Sequence, residues 1–113
     1  MDLINMPNNL DIAEINFPTH DNDGAKLMAP LLIQRELCER FGGCTAYDGH
    51  GSWVNANGKL YSEPVKIIKV AFKASQRNIN ILKHICFKHG KRAKQEAVFY
   101  SVNNKATILD TRF

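Results

Sequence analysis

Gly42–Tyr61, GGCTAYDGHGSWVNANGKLY, holds five glycines, the only tryptophan of the chain and one histidine between two apolar runs. Three readings compete for it: a phosphate-gripping loop, a catalytic elbow, or the hairpin of a sheet. A phosphate loop aims backbone N–H groups at an anion from a strand-to-helix turn, with G-x-x-x-x-G-K-[ST] or G-x-G-x-x-G spacing. Here Gly49-His50-Gly51 leads into Ser52-Trp53-Val54, a strand-like run, and no G-x-S-x-G elbow occurs. Asn57-Gly58 is a strong hairpin signal, because both turn positions tolerate positive φ. The stretch therefore reads as a long β-hairpin, with glycines where strands bend or bulge.

Upstream, Ile33, Leu37 and Phe41, with Cys38, recur at helical spacing behind Pro30, and Gly42-Gly43 stops the run, which predicts a helix over Pro30–Phe41. Asp11–Phe17, DIAEINF, lies between Asn8-Asn9 and Pro18 and reads as a first strand, followed by a polar turn over Thr19–Ala25. Downstream, Val65–Lys73, VKIIKVAFK, puts Ile68, Val70 and Phe72 on one face and Val65, Ile67, Lys69, Ala71 and Lys73 on the other. Ser75 caps a second helix, Gln76–His89, in which Ile79, Leu82, Ile85/Cys86 and His89 repeat before Gly90 ends it. Ala97–Val102 supplies a last strand, and Asn103-Asn104 turns it into a small return. The order β-α-β-β-α-β predicts an α+β, ferredoxin-like sandwich: an antiparallel sheet with two helices on one face and a long hairpin between its second and third strands. The expected core is Ile33, Leu37, Phe41, Ile68, Val70, Phe72, Ile79, Leu82 and Val98. Residues 1–113 read as one domain, with 1–10 as an N-terminal extension.

The 113 residues, 44% apolar and 23% charged, have the composition of a globular chain. No apolar run approaches the length of a membrane span, and MDLINMPNNLD lacks the basic start and apolar centre of a signal peptide, so a cytoplasmic protein without membrane contact is expected. Three cysteines without close metal-type spacing predict reduced thiols. Charge is segregated. Residues 1–63 carry four Lys/Arg against nine acids, a balance of −5, and residues 64–113 carry eleven against Glu96 and Asp110, a balance of +9. Such segregation points to an anionic partner for the second half or to docking of the halves against each other, within or between subunits.

Catalytic and metal constellations are not apparent. Asp48, His50 and Ser52 share one strand face, but residues two apart on a strand are about 7 Å apart, too far for a hydrogen-bonded relay. On a helix His84 and Cys86 point apart, while Cys86 and His89 at i, i+3 give only two ligands, so a core Cys86 and a buried, satisfied His89 are expected and no metal site. The second helix says more. Arg77, His84, Lys88, Lys91 and Arg92 form a stripe, more cations than the helix dipole alone accounts for, and read as an anion-facing surface. Tyr47, His50 and Trp53 of the hairpin are the matching platform on which a base can stack.

Glu39–Tyr47 (ERFGGCTAY), Gly51–Trp53 (GSW), Asn57–Val70 (NGKLYSEPVKIIKV) and Lys94–Leu109 (KQEAVFYSVNNKATIL) resemble the helix end, strands and closing strand of a family of small bacterial proteins of unknown function. The hairpin is also loosely similar to CutA-type proteins, relatives of PII signalling proteins. The chain lacks the typical helix-end and C-terminal aromatic motifs of CutA, so no copper site is carried over. The PII-like resemblance implies trimers that bury sheet faces and bind small ligands, often nucleotides, in subunit clefts. The resulting expectation is a non-enzymatic, cofactor-free homo-oligomer, trimer or dimer. It would sequester a nucleotide-like signalling anion with Tyr47, His50, Trp53, Arg77, His84, Lys88, Lys91 and Arg92, as a regulator or as a product of a phage or mobile element. The alternative is a module that binds nucleic acid or a protein surface through the basic second helix.

Overall fold

A computed structural model describes residues 9–112; most of the expected N-terminal extension, residues 1–8, lies outside the described residues. The chain runs β1 (Asp11–Pro18), α1 (Ala29–Phe41), β2 (Thr45–Val54), β3 (Leu60–Phe72), α2 (Gln76–Arg92), β4 (Ala97–Val102) and β5 (Lys105–Asp110). The strands form one antiparallel sheet in the order β2-β3-β1-β4-β5. This is the expected α+β, ferredoxin-like arrangement, with the small return present as the full edge strand β5.

Alternation along the strands decides which residues meet the helices. Ala13, Ile15 and Phe17 of β1, Ile68, Val70 and Phe72 of β3, and Val98 and Tyr100 of β4 point to one face and pack with Ile33, Leu37 and Phe41 of α1 and Leu82, Ile85 and Cys86 of α2. Of the expected core residues only Ile79 is half-buried, at the rim of the cluster. The remaining face of the sheet is not covered by any described residue, and Ile12, Tyr47, Phe99 and Ile108 stand exposed on it.

Two local features differ from the sequence reading. First, Gly90 does not stop α2, which continues to Arg92. A Cβ built on Gly90 lies 2.6 Å from Val98 Cγ2 and 2.9 Å from Thr111 Cγ2, so this glycine lets the helix press against the end of the sheet. The helix ends instead where Lys94 takes φ 56° and Gln95 donates its N–H to Gly90 O at 2.8 Å. Second, the hairpin turn is not built on two left-handed residues. Only Gly58 has positive φ, 79°, while the Asn55 side chain accepts from the N–H groups of Asn57 and Lys59, both at 2.9 Å. The closure thus spans Asn55–Lys59 and pairs Val54 with Leu60.

The close approach at Gly90 predicts the outcome of a substitution that helix propensity alone gets wrong. Gly90→Ala gains about 1 kcal/mol of intrinsic helix preference, but overpacking against Val98 and Thr111 costs about 1–3 kcal/mol. Urea unfolding is expected to show a net loss; a stabilised variant would show that the helix does not press on β4 there.

Candidate functional site

The geometry of the site begins with unequal strand lengths. β2 pairs with β3 from Val54↔Leu60 to Thr45↔Lys69, whereas β1 reaches β3 only from Pro18↔Val65 onward. The distal hairpin, Gly51–Val54 with Leu60–Pro64, therefore projects beyond β1 as a two-stranded arm, in keeping with overall extents of 50 × 26 × 26 Å. The arm presents different chemistry on its two faces.

On the face away from the helices, Trp53 and Tyr61 are cross-strand partners and stack with ring centroids 5.5 Å apart and planes 15° apart. They remain 49% and 38% exposed, with Lys59 Nζ 5.1 Å from the Tyr61 ring. Glu63 is the next residue on this face and lies opposite Gly51, so no side chain covers it from the partner strand. Burial pushes its carboxyl above the ordinary value. Asp11, Glu36, Asp48 and Asp110 are all shifted downward, so Glu63 is the single upward-shifted carboxyl among the described residues. Behind it, Val65 and Ile67 fold over Gly49 and Gly51: a Cβ on Gly49 lies 2.7 Å from Ile67 Cδ1, so a side chain there would displace Ile67.

On the helix-facing side, a cleft of about 460 Å³ opens between the root of the arm, the β1–α1 loop and the first turns of α1. Asp48, His50 and Lys66 of the hairpin face His20 and Lys26 of the loop across an apolar floor of Leu27 and Leu31. Asp48 pairs with Lys66 at 2.6 Å, and this hydrogen bond and charge hold its carboxyl below the usual range, Lys26 adding a smaller pull. Ser52 bonds Ser62 at 3.2 Å rather than His50, so Asp48, His50 and Ser52 form no relay.

The basic residues of α2 lie elsewhere. Arg77, His84 and Lys88 share with Arg40 a groove of about 650 Å³ between α1 and α2. Lys91 folds over Phe87, its Nζ 5.7 Å from the ring, and Arg92 sits beside the Asp21–Asp23 loop. Of the eight expected ligand residues, Tyr47 and Trp53 thus stand on the open sheet face, His50 in the helix-side cleft, Arg77, His84 and Lys88 in the interhelical groove, and Lys91 and Arg92 at the end of α2. Within one chain, the base platform and the basic stripe do not meet. Sequence reasoning missed Tyr61 and Glu63. Extending the hairpin pairing outward from Asn57-Gly58 places Tyr61 against Trp53 and Glu63 against Gly51, and that register is the signal in the sequence that points to them.

His89, 3% exposed, is satisfied as expected, through Glu36 of α1, which also accepts from Lys88. Burial raises the Glu36 pKa, but these two donors outweigh it and leave the carboxyl below its ordinary value of 4.5.

Residues 32–108 match the family described as Protein of unknown function (DUF3574). The chain belongs to this family. No curated protein matches it. Two solved structures share its architecture: a phage SAM lyase in complex with S-methyl-5'-thioadenosine has a TM-score of 0.68 at 12% identity, covering 97% of this chain and 96% of that one. A phage SAM lyase in the apo state gives 0.69 at 12% identity, over 91% and 90%. At this identity the likeness is one of fold. It overturns the expectation of a non-enzymatic protein, because that expectation rested on small size, on the lack of a constellation legible in sequence and on the PII-like resemblance, and the same small architecture serves an enzyme. No described helix is long and apolar enough to cross a membrane.

The Glu36 link predicts a pH dependence. A carboxyl whose pKa is lower in the folded state contributes stability that is present above its unfolded value and lost as pH falls through the folded one. The stability gap between wild type and Glu36→Gln is therefore expected to shrink as pH falls below about 4.5. Glu36→Ala, which leaves the buried His89 without its partner, is expected to cost about 1–3 kcal/mol. Urea titrations from pH 7 to 3 check both; a gap independent of pH would mean that Glu36 is not ionised in the link.

Proposed function

We propose that the protein is an enzyme acting on an adenine nucleoside carrying a sulfonium or thioether group, bound on the outer face of the β2–β3 arm in clefts between copies of the chain. The observation that carries the reading is the exposed Trp53–Tyr61 stack beside the half-buried Glu63 and the bare Gly51. Aromatic faces suit a purine, worth roughly 1–3 kcal/mol per stacked base, and they also attract a cation such as a sulfonium. A carboxyl beside them neutralises such a cation, or, with its pKa raised by burial, moves a proton. The fold likeness to a phage SAM lyase crystallised with S-methyl-5'-thioadenosine supports the same ligand class.

Assembly into a trimer or dimer belongs to this reading. The arm is apolar and uncovered on its outer face, and Ile12, Tyr47, Phe99 and Ile108 continue that surface across the sheet. A second copy covering it encloses the ligand and excludes water from Glu63.

The interhelical groove supports a second, separate reading as an anion-binding surface. Arg40 and Arg77 have no acidic partner among the described residues, and Glu36 is already engaged by Lys88 and His89. If nucleic acid binds there, affinity falls steeply with salt, and Arg77→Glu weakens it without affecting nucleoside binding.

Three measurements test the main reading. Sedimentation is expected to give a homo-oligomer at micromolar concentration. Thermal midpoints are expected to rise with S-adenosylmethionine and S-methyl-5'-thioadenosine, and Trp53→Ala to lose about 1–3 kcal/mol of that binding. Chromatography of S-adenosylmethionine incubated with the protein is expected to show its conversion, reduced roughly 10²–10⁴-fold by Glu63→Gln. A folded Trp53→Ala protein with unchanged affinity, or unchanged turnover in Glu63→Gln, would remove the arm from the site.

A further inference from the structure

Two of the three cysteines are brought together by the end of α1. Gly42, at φ 99°, donates its N–H to Cys38 O at 2.9 Å and reverses the chain, so that Cys44 returns alongside the last turns of the helix. The Cys38 and Cys44 sulfurs lie 3.6 Å apart, and Cys44 Sγ also approaches Gln34 O at 3.8 Å. Bonded sulfurs lie at about 2.05 Å, so side-chain rotation has roughly 1.5 Å to close, with the backbone return already made. Cys38 is exposed, Cys44 half-buried and Cys86 fully buried.

We propose that Cys38 and Cys44 form a redox-active dithiol that closes to an intramolecular disulfide by exchange with low-molecular-weight disulfides. The exposed Cys38 thiolate attacks one sulfur of glutathione disulfide; the glutathione S–S bond breaks, one glutathione leaves as a thiolate and takes up a proton, and a mixed disulfide remains on Cys38. Cys44 then loses its proton to solvent and attacks Cys38 Sγ, displacing the second glutathione. Two protein thiols are oxidised by two electrons, and one glutathione disulfide is reduced to two glutathiones.

The environment of Cys44 favours its protonated thiol, which leaves the first attack to the exposed Cys38. Burial first, then the hydrogen bond and charge of Cys38, push its thiol up to about 11. In the mixed disulfide Cys38 carries neither a proton nor a charge, so the second and third causes vanish as the resolving thiolate is needed. Cys86 has no such neighbour, and burial pushes its thiol up to about 12, so it stays reduced as an internal reference. The link joins the last turns of α1 to the residue before β2, at the end of that strand away from the arm, and it stands independently of what the arm binds.

The full chain is incubated with glutathione disulfide, unfolded, alkylated, and mapped by peptide mass spectrometry. The expected result is a cross-linked Cys38–Cys44 pair, alkylation of Cys86 alone, and recovery of three alkylated thiols after dithiothreitol. Cys44→Ser is expected to stop at the Cys38–glutathione adduct, which identifies the attacking thiol. Three alkylated cysteines, a stable glutathione adduct in the wild-type protein, or a disulfide between two copies would each overturn the proposal.

Discussion

The register of β3 is the constraint on which the rest of the structure depends. Its first ten residues are pledged to β2 and its last eight to β1, and only Val65–Lys69 serve both. The C-terminal half of the strand lies inside the sheet and carries Ile68, Val70 and Phe72 into the core. The N-terminal half carries an arm that no other described strand flanks. A two-stranded ribbon with no third strand or packed face is only marginally stable by itself in water. The arm here has local support: the Asn55 side chain closes the turn, and the Trp53–Tyr61 stack braces the strands.

The same register sorts the chemistry by face. The helix-facing side of the sheet pays for order with aliphatic burial and with the Glu36 link between α1 and α2. Cationic residues gather on the outer surfaces of those helices. Aromatic groups gather on the opposite side of the sheet, where Tyr61, Glu63 and Trp53 are neighbours by pairing and Glu14 receives Lys69 at 3.6 Å. The opposite charges of the two halves meet in part inside the chain, as Lys88 with Glu36, Lys66 with Asp48 and Lys69 with Glu14, while Arg40 and Arg77 are left in the α1–α2 groove without an acidic partner among the described residues.

The fold was legible because its signals are local and periodic. The alternation of Val65–Lys73, the four-residue steps of Ile33, Leu37 and Phe41, and the glycine at Gly42 each report structure within a few residues. Gly90 was misread because its role depends on Val98 and Thr111, which the sequence places far from it but packing brings within van der Waals distance. The site was less legible for the same reason. A histidine, a tryptophan and a row of lysines attract attention individually, yet Trp53 and Arg77 belong to opposite sides of the sheet. Glu63 looks ordinary in sequence, and its character comes from partial burial on the arm. The meeting of Cys38 with Cys44 likewise needs the chain reversal at Gly42, which spacing alone does not reveal.

The glycines that opened the problem resolve it in an unexpected way. They bend no phosphate loop; they remove side chains. Gly49 yields its space to Ile67, and Gly51 leaves the strand opposite Glu63 bare. A bulky residue at position 51 would cover the carboxyl from across the ladder, since directly opposed side chains lie about 4.5–5.5 Å apart. Leaving position 51 bare keeps Glu63 open from across the ladder, on the same face as the stacked Trp53 and Tyr61 rings. In the proposed reading that geometry is what a flat purine with a charged substituent requires: a face to stack on, a carboxyl within reach, and few side chains to order on binding. Rings already held against each other lose less freedom on binding than mobile ones, so more of the stacking energy is available for affinity.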